Sequence, residues 1–234
     1  MSRPGGVLAS RPVYFFWVVD CSGSMEGTKI GTVNDAIQEA LPNMVTSAGE
    51  NPNAQLYIRT LKFSDGASWL TDDVVKIEDF AWEDLTADGM TDMGKAFELL
   101  AGQLSMPPMP SRALPPVIVL LSDGQPTDNY KPALEKLLKQ AWGKKSVRIA
   151  IAIGQDVDYN VLEKFTGNKE LVLQANSAPK LAKMIRWAST VAASVSAPAS
   201  QSAPISEGTP ESADILDFDA IPENDSPNDD VNVW

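Results

Sequence analysis

The sequence predicts an α/β fold: a doubly wound, mostly parallel six-stranded sheet with one antiparallel edge strand and helices on both faces. Three observations carry this. Val13-Tyr14-Phe15-Phe16-Trp17-Val18-Val19 is a seven-residue apolar run without polar alternation, the pattern of a strand buried on both faces. Val117-Ile118-Val119-Leu120-Leu121 is a second such run. Around them, short apolar segments alternate with segments of helical period, which is the βα rhythm of a parallel sheet.

The elements follow in order. Residues 1–11 read as a flexible lead-in. After the first strand, Ile30, Val33, Ile37, Leu41 and Met44 keep helical spacing, with Pro42 expected to kink or loosen the last turn. Leu56 to Phe63 is the second strand. Ser64-Asp65-Gly66 turns the chain into a short antiparallel edge strand from Ala67 to Leu70. Residues 71–88 are rich in acids and read as an exposed connection with a short strand near Val74–Ile77. Met93, Ala96, Phe97, Leu100 and Leu104 mark one face of the next helix, which the Pro107-Pro108-Met109-Pro110 segment stops.

Past the second apolar run, a helix begins at Lys131-Pro132, where a proline costs little because its missing N–H has no partner in a first turn. Its apolar positions are Tyr130, Leu134, Leu137, Leu138 and Ala141. Val147 to Ile153 is a strand, Asp158 caps a short helix ending at Gly167, and Glu170 to Gln174 is the last strand. Ser177 caps a final helix with Leu181, Met184, Ile185 and Ala188 on its apolar face. The predicted domain spans residues 12–191.

From Ala192 the composition shifts to Ala, Ser, Pro, Asp and Asn, and residues 192–234 are predicted to be disordered, since they bury too little apolar surface to offset their ordering entropy. From Ala193 onward there are nine Asp or Glu and no Lys or Arg; the preceding residues carry nineteen basic and twenty-two acidic side chains. The tail is thus acidic and the domain nearly neutral, which argues against nucleic acid or an anionic membrane as the main partner. Two apolar islands interrupt the tail, Ile215 to Ile221 and Val231 to Trp234. One reading is a solubilising tail; the other is a short motif that folds on binding, with Phe218 or Trp234 filling a partner's pocket.

The inventory excludes most chemistry. The chain has no histidine and one cysteine. No Ser-His-Asp or Cys-His nucleophile system, histidine-ligated zinc or thiolate site can be assembled from it. There is no phosphate-loop motif. The lone Cys21 excludes an internal disulfide and fits a reducing cytoplasm. It reads as a small buried filler rather than a nucleophile, because the neighbouring Asp20 carboxylate raises a thiol's pKa. The sequence shows no secretory signal, and its first apolar run is too short for a membrane span.

What the sequence does offer is oxygen. Asp20-Cys21-Ser22-Gly23-Ser24 follows the first apolar strand, Ser122-Asp123-Gly124 ends the second, and Gly89-Met90-Thr91-Asp92-Met93-Gly94 opens the helix between them. Ligands in open α/β sheets bind outside the carboxyl ends of the strands. Carboxylates and hydroxyls converging there make a hard site for Mg²⁺ or Mn²⁺. Capping accounts for any one of these segments; three on successive strand-to-helix connections are poorly explained that way.

With these residues in place, the chain resembles the von Willebrand factor A domains, whose metal-ion-dependent adhesion site is Asp-x-Ser-x-Ser, then a Thr, then an Asp after a central strand. The resemblance covers about residues 12–190 and implies metal-site roles for Asp20, Ser22, Ser24, Thr91 and Asp123. It also implies that an open metal position takes an Asp or Glu of a protein partner. Asp-x-Ser-Gly-Ser-Met-x-Gly, Val33-Asn34-x-Ala36-Ile37 and Thr91-Asp92-Met93-Gly94-Lys95-Ala96-Phe97 are similar to the bacterial TerY-like, stand-alone cytoplasmic domains, which implies a non-catalytic adaptor. Such relatives are associated with kinases and phosphatases in stress-response or defence systems, and Ser200, Ser202, Ser206, Ser212 and Ser226 would be candidate kinase substrates. One departure is Met90, where many relatives have Gly before the Thr. Two other functions compete. In one, the tail occupies the metal site in cis through Asp217 or Asp219. In the other, the site hydrolyses phosphate esters with Asp20 as nucleophile and Asp88 or Asp92 as acid–base.

Overall fold

The computed structural model describes residues 10–52, 54–155 and 157–196. A mostly parallel sheet carries the strands β1 (Arg11–Asp20), β2 (Ala54–Ser64), β3 (Gly66–Trp69), β4 (Val75–Lys76), β5 (Val117–Ser122), β6 (Val147–Ile153) and β7 (Val172–Ala175). Their order is β3-β2-β1-β5-β6-β7. β1 pairs in parallel with both β2 and β5, while β3 and β4 pair antiparallel with β2. The six expected strands are present, five parallel and β3 antiparallel, and the two-residue β4 adds a further pairing on β2.

β1 is buried from Val13 to Asp20 because both faces are covered, as its sequence without alternation required. Val13, Phe15, Trp17 and Val19 face one core with residues of α1 (Thr28–Gly49) and α6 (Ala178–Ser196). Tyr14, Phe16 and Val18 face a second core built with α2 (Met93–Gln103), α3 (Tyr130–Lys139), α4 (Ala141–Lys145) and α5 (Tyr159–Thr166). Each fully buried side chain of this size contributes roughly 1.5–3 kcal/mol, so the doubly covered strand is the anchor of the sheet.

Several elements differ from the sequence expectation, each for a visible reason. α1 runs on through Pro42 to Gly49; proline removes one ladder bond, and the burial of Ile37, Ala40 and Met44 along the inward face holds the helix together. The helix expected to include Ala141 ends at Lys139. Gln140 is extended and α4 starts afresh, burying Trp142 and laying Gly143 so close to Leu137 that a Cβ would stand 2.0 Å from its carbonyl oxygen. β7 begins at Val172 rather than Glu170, because Asn168 accepts from the Glu170 N–H and starts a 3-10 turn over Lys169–Leu171.

The acid-rich connection is not simply exposed. Ile77 and Leu85 are buried, and Phe80 and Trp82 pack on the α1 side of the core. Asn34 of α1 clips this segment from inside. Its side chain donates to the Leu85 carbonyl at 2.9 Å and accepts from the Leu85 N–H at 3.0 Å and from Trp82 Nε1 at 3.3 Å.

As expected, Asp158 accepts from the Asn160 N–H to cap α5, and Gly167 closes that helix in the left-handed conformation. α6 follows directly on Ser177 and continues through Ser196. Among the described residues, no helix is long and apolar enough to cross a membrane. The expectations for residues 1–9, for Asp217 and Asp219, for the tail serines and for Phe218 and Trp234 lie outside the described residues.

Candidate metal centre

β1 and β5 are neighbours at the centre of the sheet, and the chain leaves them toward opposite flanks, so a crevice opens between their carboxyl ends. Asp20 is the last residue of β1 and Ser122 the last of β5. Asp20 has no solvent exposure, and both its oxygens are held. Oδ1 accepts from the Ser22 N–H at 2.9 Å and Oδ2 from Ser122 Oγ at 2.5 Å. Burial pushes the Asp20 carboxyl up to about 6; the Ser122 and Ser22 donors oppose that rise, and the neighbouring Asp123 carboxylate adds to it.

The loop after Asp20 turns tightly. A 3-10 turn spans Gly23–Met25, and the Ser22 and Ser24 hydroxyls lie 3.1 Å apart. Met25 is fully buried and pins the turn to the core. Asp123 is 5% exposed and its Oδ1 accepts from the Gln125 N–H.

Thr91 reaches this edge through a laced loop. Cys21 O accepts from the Asp88 N–H at 2.8 Å and Gly89 O accepts from the Gly23 N–H at 3.0 Å, which ties the Thr91 loop to the Asp20 loop. Thr91 and Thr127 make a reciprocal pair: the Thr91 N–H donates to Thr127 Oγ1 at 3.0 Å, and the Thr127 N–H donates to Thr91 O at 2.9 Å. Asp65 Oδ1 accepts from the Met90 N–H and Asp92 Oδ2 from the Gly66 N–H. The left-handed residue of this loop is Gly89 (φ 83°), where a Cβ would meet the Asp65 carboxyl at 2.8 Å. Met90, the departure from the family pattern, is instead 55% exposed.

The five residues singled out from the motif therefore stand at one edge of the sheet, on connections bonded to one another. Four other contributors stand outside the five: Ser122, which donates to Asp20; Thr127, which holds Thr91; Asp65, which holds the Met90 N–H; and Lys29. Lys29 Nζ donates to Ser24 O at 2.9 Å and lies 4.0 Å from Asp123 Oδ2. A sequence signal for it existed, because a cation in the first turn of a helix opposes the helix dipole and needs another reason to be there.

Of the two acids considered as acid–base groups, Asp92 holds the Gly66 N–H and Asp88 accepts from the Gly89 N–H; both serve the loop. Cys21 is 3% exposed, and burial, aided by Asp20, pushes its thiol up to about 12, which makes it the inert filler expected.

The donor set suits a hard divalent cation. Two buried carboxylates and a row of hydroxyls, of which only Ser24 is exposed, concentrate negative potential in the crevice, and an ammonium already leans on one of the carboxylates. Among the described residues no cluster of three or more His, Cys, Asp or Glu side chains forms, so a metal here relies on hydroxyl oxygens, as Mg²⁺ and Mn²⁺ accept. Beside the site, a groove of about 780 Å³ runs between the β5–α3 and β6–α5 connections, lined by Gln125, Pro126, Asp128, Lys131, Asp158 and Lys164 among others.

The family model for the von Willebrand factor type A domain matches residues 15–186. The chain belongs to that family. VWA domains often mediate metal-dependent protein interaction through a divalent ion at their adhesion site. No curated protein matches the chain. Among solved structures, the pilus adhesin SpaC from Lactobacillus rhamnosus GG superposes with a TM-score of 0.63 at 15% identity, covering 79% of this chain and 31% of that one. Proximal thread matrix protein 1 from the mussel byssus, with a zinc-occupied MIDAS motif, gives 0.57 at 19% identity over 80% of this chain and 47% of that one. A von Willebrand factor type A protein from Catenulispora acidiphila gives 0.55 at 16% identity, covering 80% and 43%. These likenesses establish the VWA fold, and the chain spans about a third to a half of the length of each of these solved proteins.

Proposed function

We propose that this VWA domain is a non-catalytic protein-binding module in which Asp20, Ser22, Ser24, Thr91 and Asp123 hold Mg²⁺ or Mn²⁺, and the ion captures an Asp or Glu carboxylate of a protein partner. The observation that carries the reading is the placement of two buried carboxylates and hydroxyl-bearing loops on one crevice at the switch point of the sheet. Two carboxylates neutralise a divalent ion and neutral hydroxyls leave its electrophilicity intact, so an incoming carboxylate still binds. The zinc-occupied adhesion site of the mussel protein supports the same use of the fold.

The motif likeness to TerY-like stand-alone domains supports an adaptor working in the cytoplasm beside a kinase or phosphatase. The groove beside the site, with Lys131 and Lys164 set against Asp128 and Asp158 on its walls, would accept a polar segment of the partner flanking its carboxylate.

The test is capture of partners from the native host in Mg²⁺ and in EDTA, using wild type, Asp20→Ala and a chain ending at Ala192. The reading expects a partner lost on chelation and in Asp20→Ala but kept by the shortened chain. A partner that ignores metal and vanishes with the tail would overturn it, and would make the acidic segment the binding element.

A further inference from the structure

Lys29 has no part in the motif, yet it is built into the site. It stands in the first turn of α1, where the helix dipole disfavours a cation. Its side chain nevertheless folds over the metal loop rather than out to water, with 21% exposure. Nζ donates to Ser24 O at 2.9 Å and stands 4.0 Å from Asp123 Oδ2, a carboxylate only 6% exposed. On its third side it crosses the end of β6: a Cβ on Gly154 would lie 3.2 Å from Nζ and 3.3 Å from Cε. The ammonium thus lies against three of the segments at this edge: the Asp20 loop, the β5 end and the β6 end.

We propose that Lys29 is a resident counter-cation of the adhesion site, which balances Asp123 in the metal-free protein and competes electrostatically with the divalent ion. This inference rests on the metal-site reading above and assigns a tuning role within it. Without the ammonium, two buried carboxylates would share the crevice with no opposing charge, a costly arrangement. With it, the metal-free loop is held in its binding conformation. A divalent ion entering beside the ammonium meets like charge at short range in a poorly screened environment, so Lys29 sets the affinity below what the donor set alone would give. The site would therefore release its metal readily and bind best when a partner's carboxylate arrives to offset the excess positive charge.

The test is calorimetric titration of the full chain with MgCl₂, together with thermal unfolding in EDTA and in Mg²⁺. Lys29→Met and Lys29→Gln remove the charge, Lys29→Arg keeps it, and Asp20→Asn controls for the site. The expected result is Mg²⁺ binding at least about ten-fold tighter in both neutral variants, at the scale of a full charge near a partly buried ion. The same variants should show a lower Tm in EDTA and a larger rise with Mg²⁺, while Lys29→Arg stays within about three-fold of wild type. Neutral variants that bind Mg²⁺ as wild type does, or more weakly, while Asp20→Asn loses binding, would overturn the role of Lys29 and leave the metal site standing. Wild type and Asp20→Asn behaving alike would overturn the metal site itself, and this inference with it.

Discussion

Replacing Asp20 with Asn should stabilise the metal-free protein, and the size of the gain follows from the site. The carboxyl is fully buried, and burial lifts it from an ordinary 3.8 to about 6. A folded-state value above the unfolded one means the native protein holds the proton more tightly. Its stabilising effect is therefore complete below about 3.8 and is lost as pH rises through about 6. At 1.36 kcal/mol per decade, ionising Asp20 at pH 8 costs the fold about 3 kcal/mol. Asparagine keeps the shape and an acceptor for the Ser22 N–H. It also disturbs the bond from Ser122, whose hydroxyl already serves the Gly124 N–H, at about 1 kcal/mol. Urea unfolding in EDTA should then show Asp20→Asn more stable than wild type by about 2 kcal/mol at pH 8, and equal or slightly less stable at pH 4. Acids outside this crevice titrate alike in both proteins, so the difference between the two pH values reports on Asp20 and its coupling to the neighbouring Asp123. If the substitution has the same effect at pH 4 and pH 8, the carboxylate is not a strained buried charge and the argument fails.

Two further expectations follow from the same geometry. Because the metal must displace the Asp20 proton, Mg²⁺ affinity should be flat above pH 7 and weaken by about ten-fold per pH unit below about 6, as titrations at pH 5, 6 and 7.5 would reveal. In α2, Gly94→Ala would place a Cβ 2.6 Å from Asp128 Oδ2 and 3.0 Å from Tyr130 Cα, whereas Gly102 has open space; the first should cost about 1–3 kcal/mol and weaken Mg²⁺ binding through Thr91, while Gly102→Ala should raise stability by about 0.5–1 kcal/mol with binding unchanged.

The parts of the molecule that could be read from residues alone share one property: a single dominant force sets them. β1 and β5 are apolar throughout because helices cover both faces, and Asp158 with Gly167 brackets α5 with a donor–acceptor match and a left-handed stop. Where forces compete, reading failed. Nothing in the pattern around Gln140 marks a break; only the packing of Trp142 and the contact of Gly143 with Leu137 explain it. The connection through Ile77 and Leu85 buries its apolar residues at irregular intervals, so no period announces it. At the site, Asp20, Ser22, Ser24, Thr91 and Asp123 were legible because the motif places them on three strand-to-helix turns. Ser122 and Thr127 were not, since their contribution is a hydrogen bond between residues 102 and 36 positions apart.

The Asn34 clip bears on how quickly a partner is captured. By satisfying both the N–H and the carbonyl of Leu85 from within α1, it fixes the midpoint of an otherwise irregular stretch leading to Thr91. The ordering of that stretch is settled when the chain folds and is not charged to each encounter. Docking at this rim should then proceed as a collision of two ready-made surfaces, with diffusion and charge rather than loop rearrangement limiting the association rate.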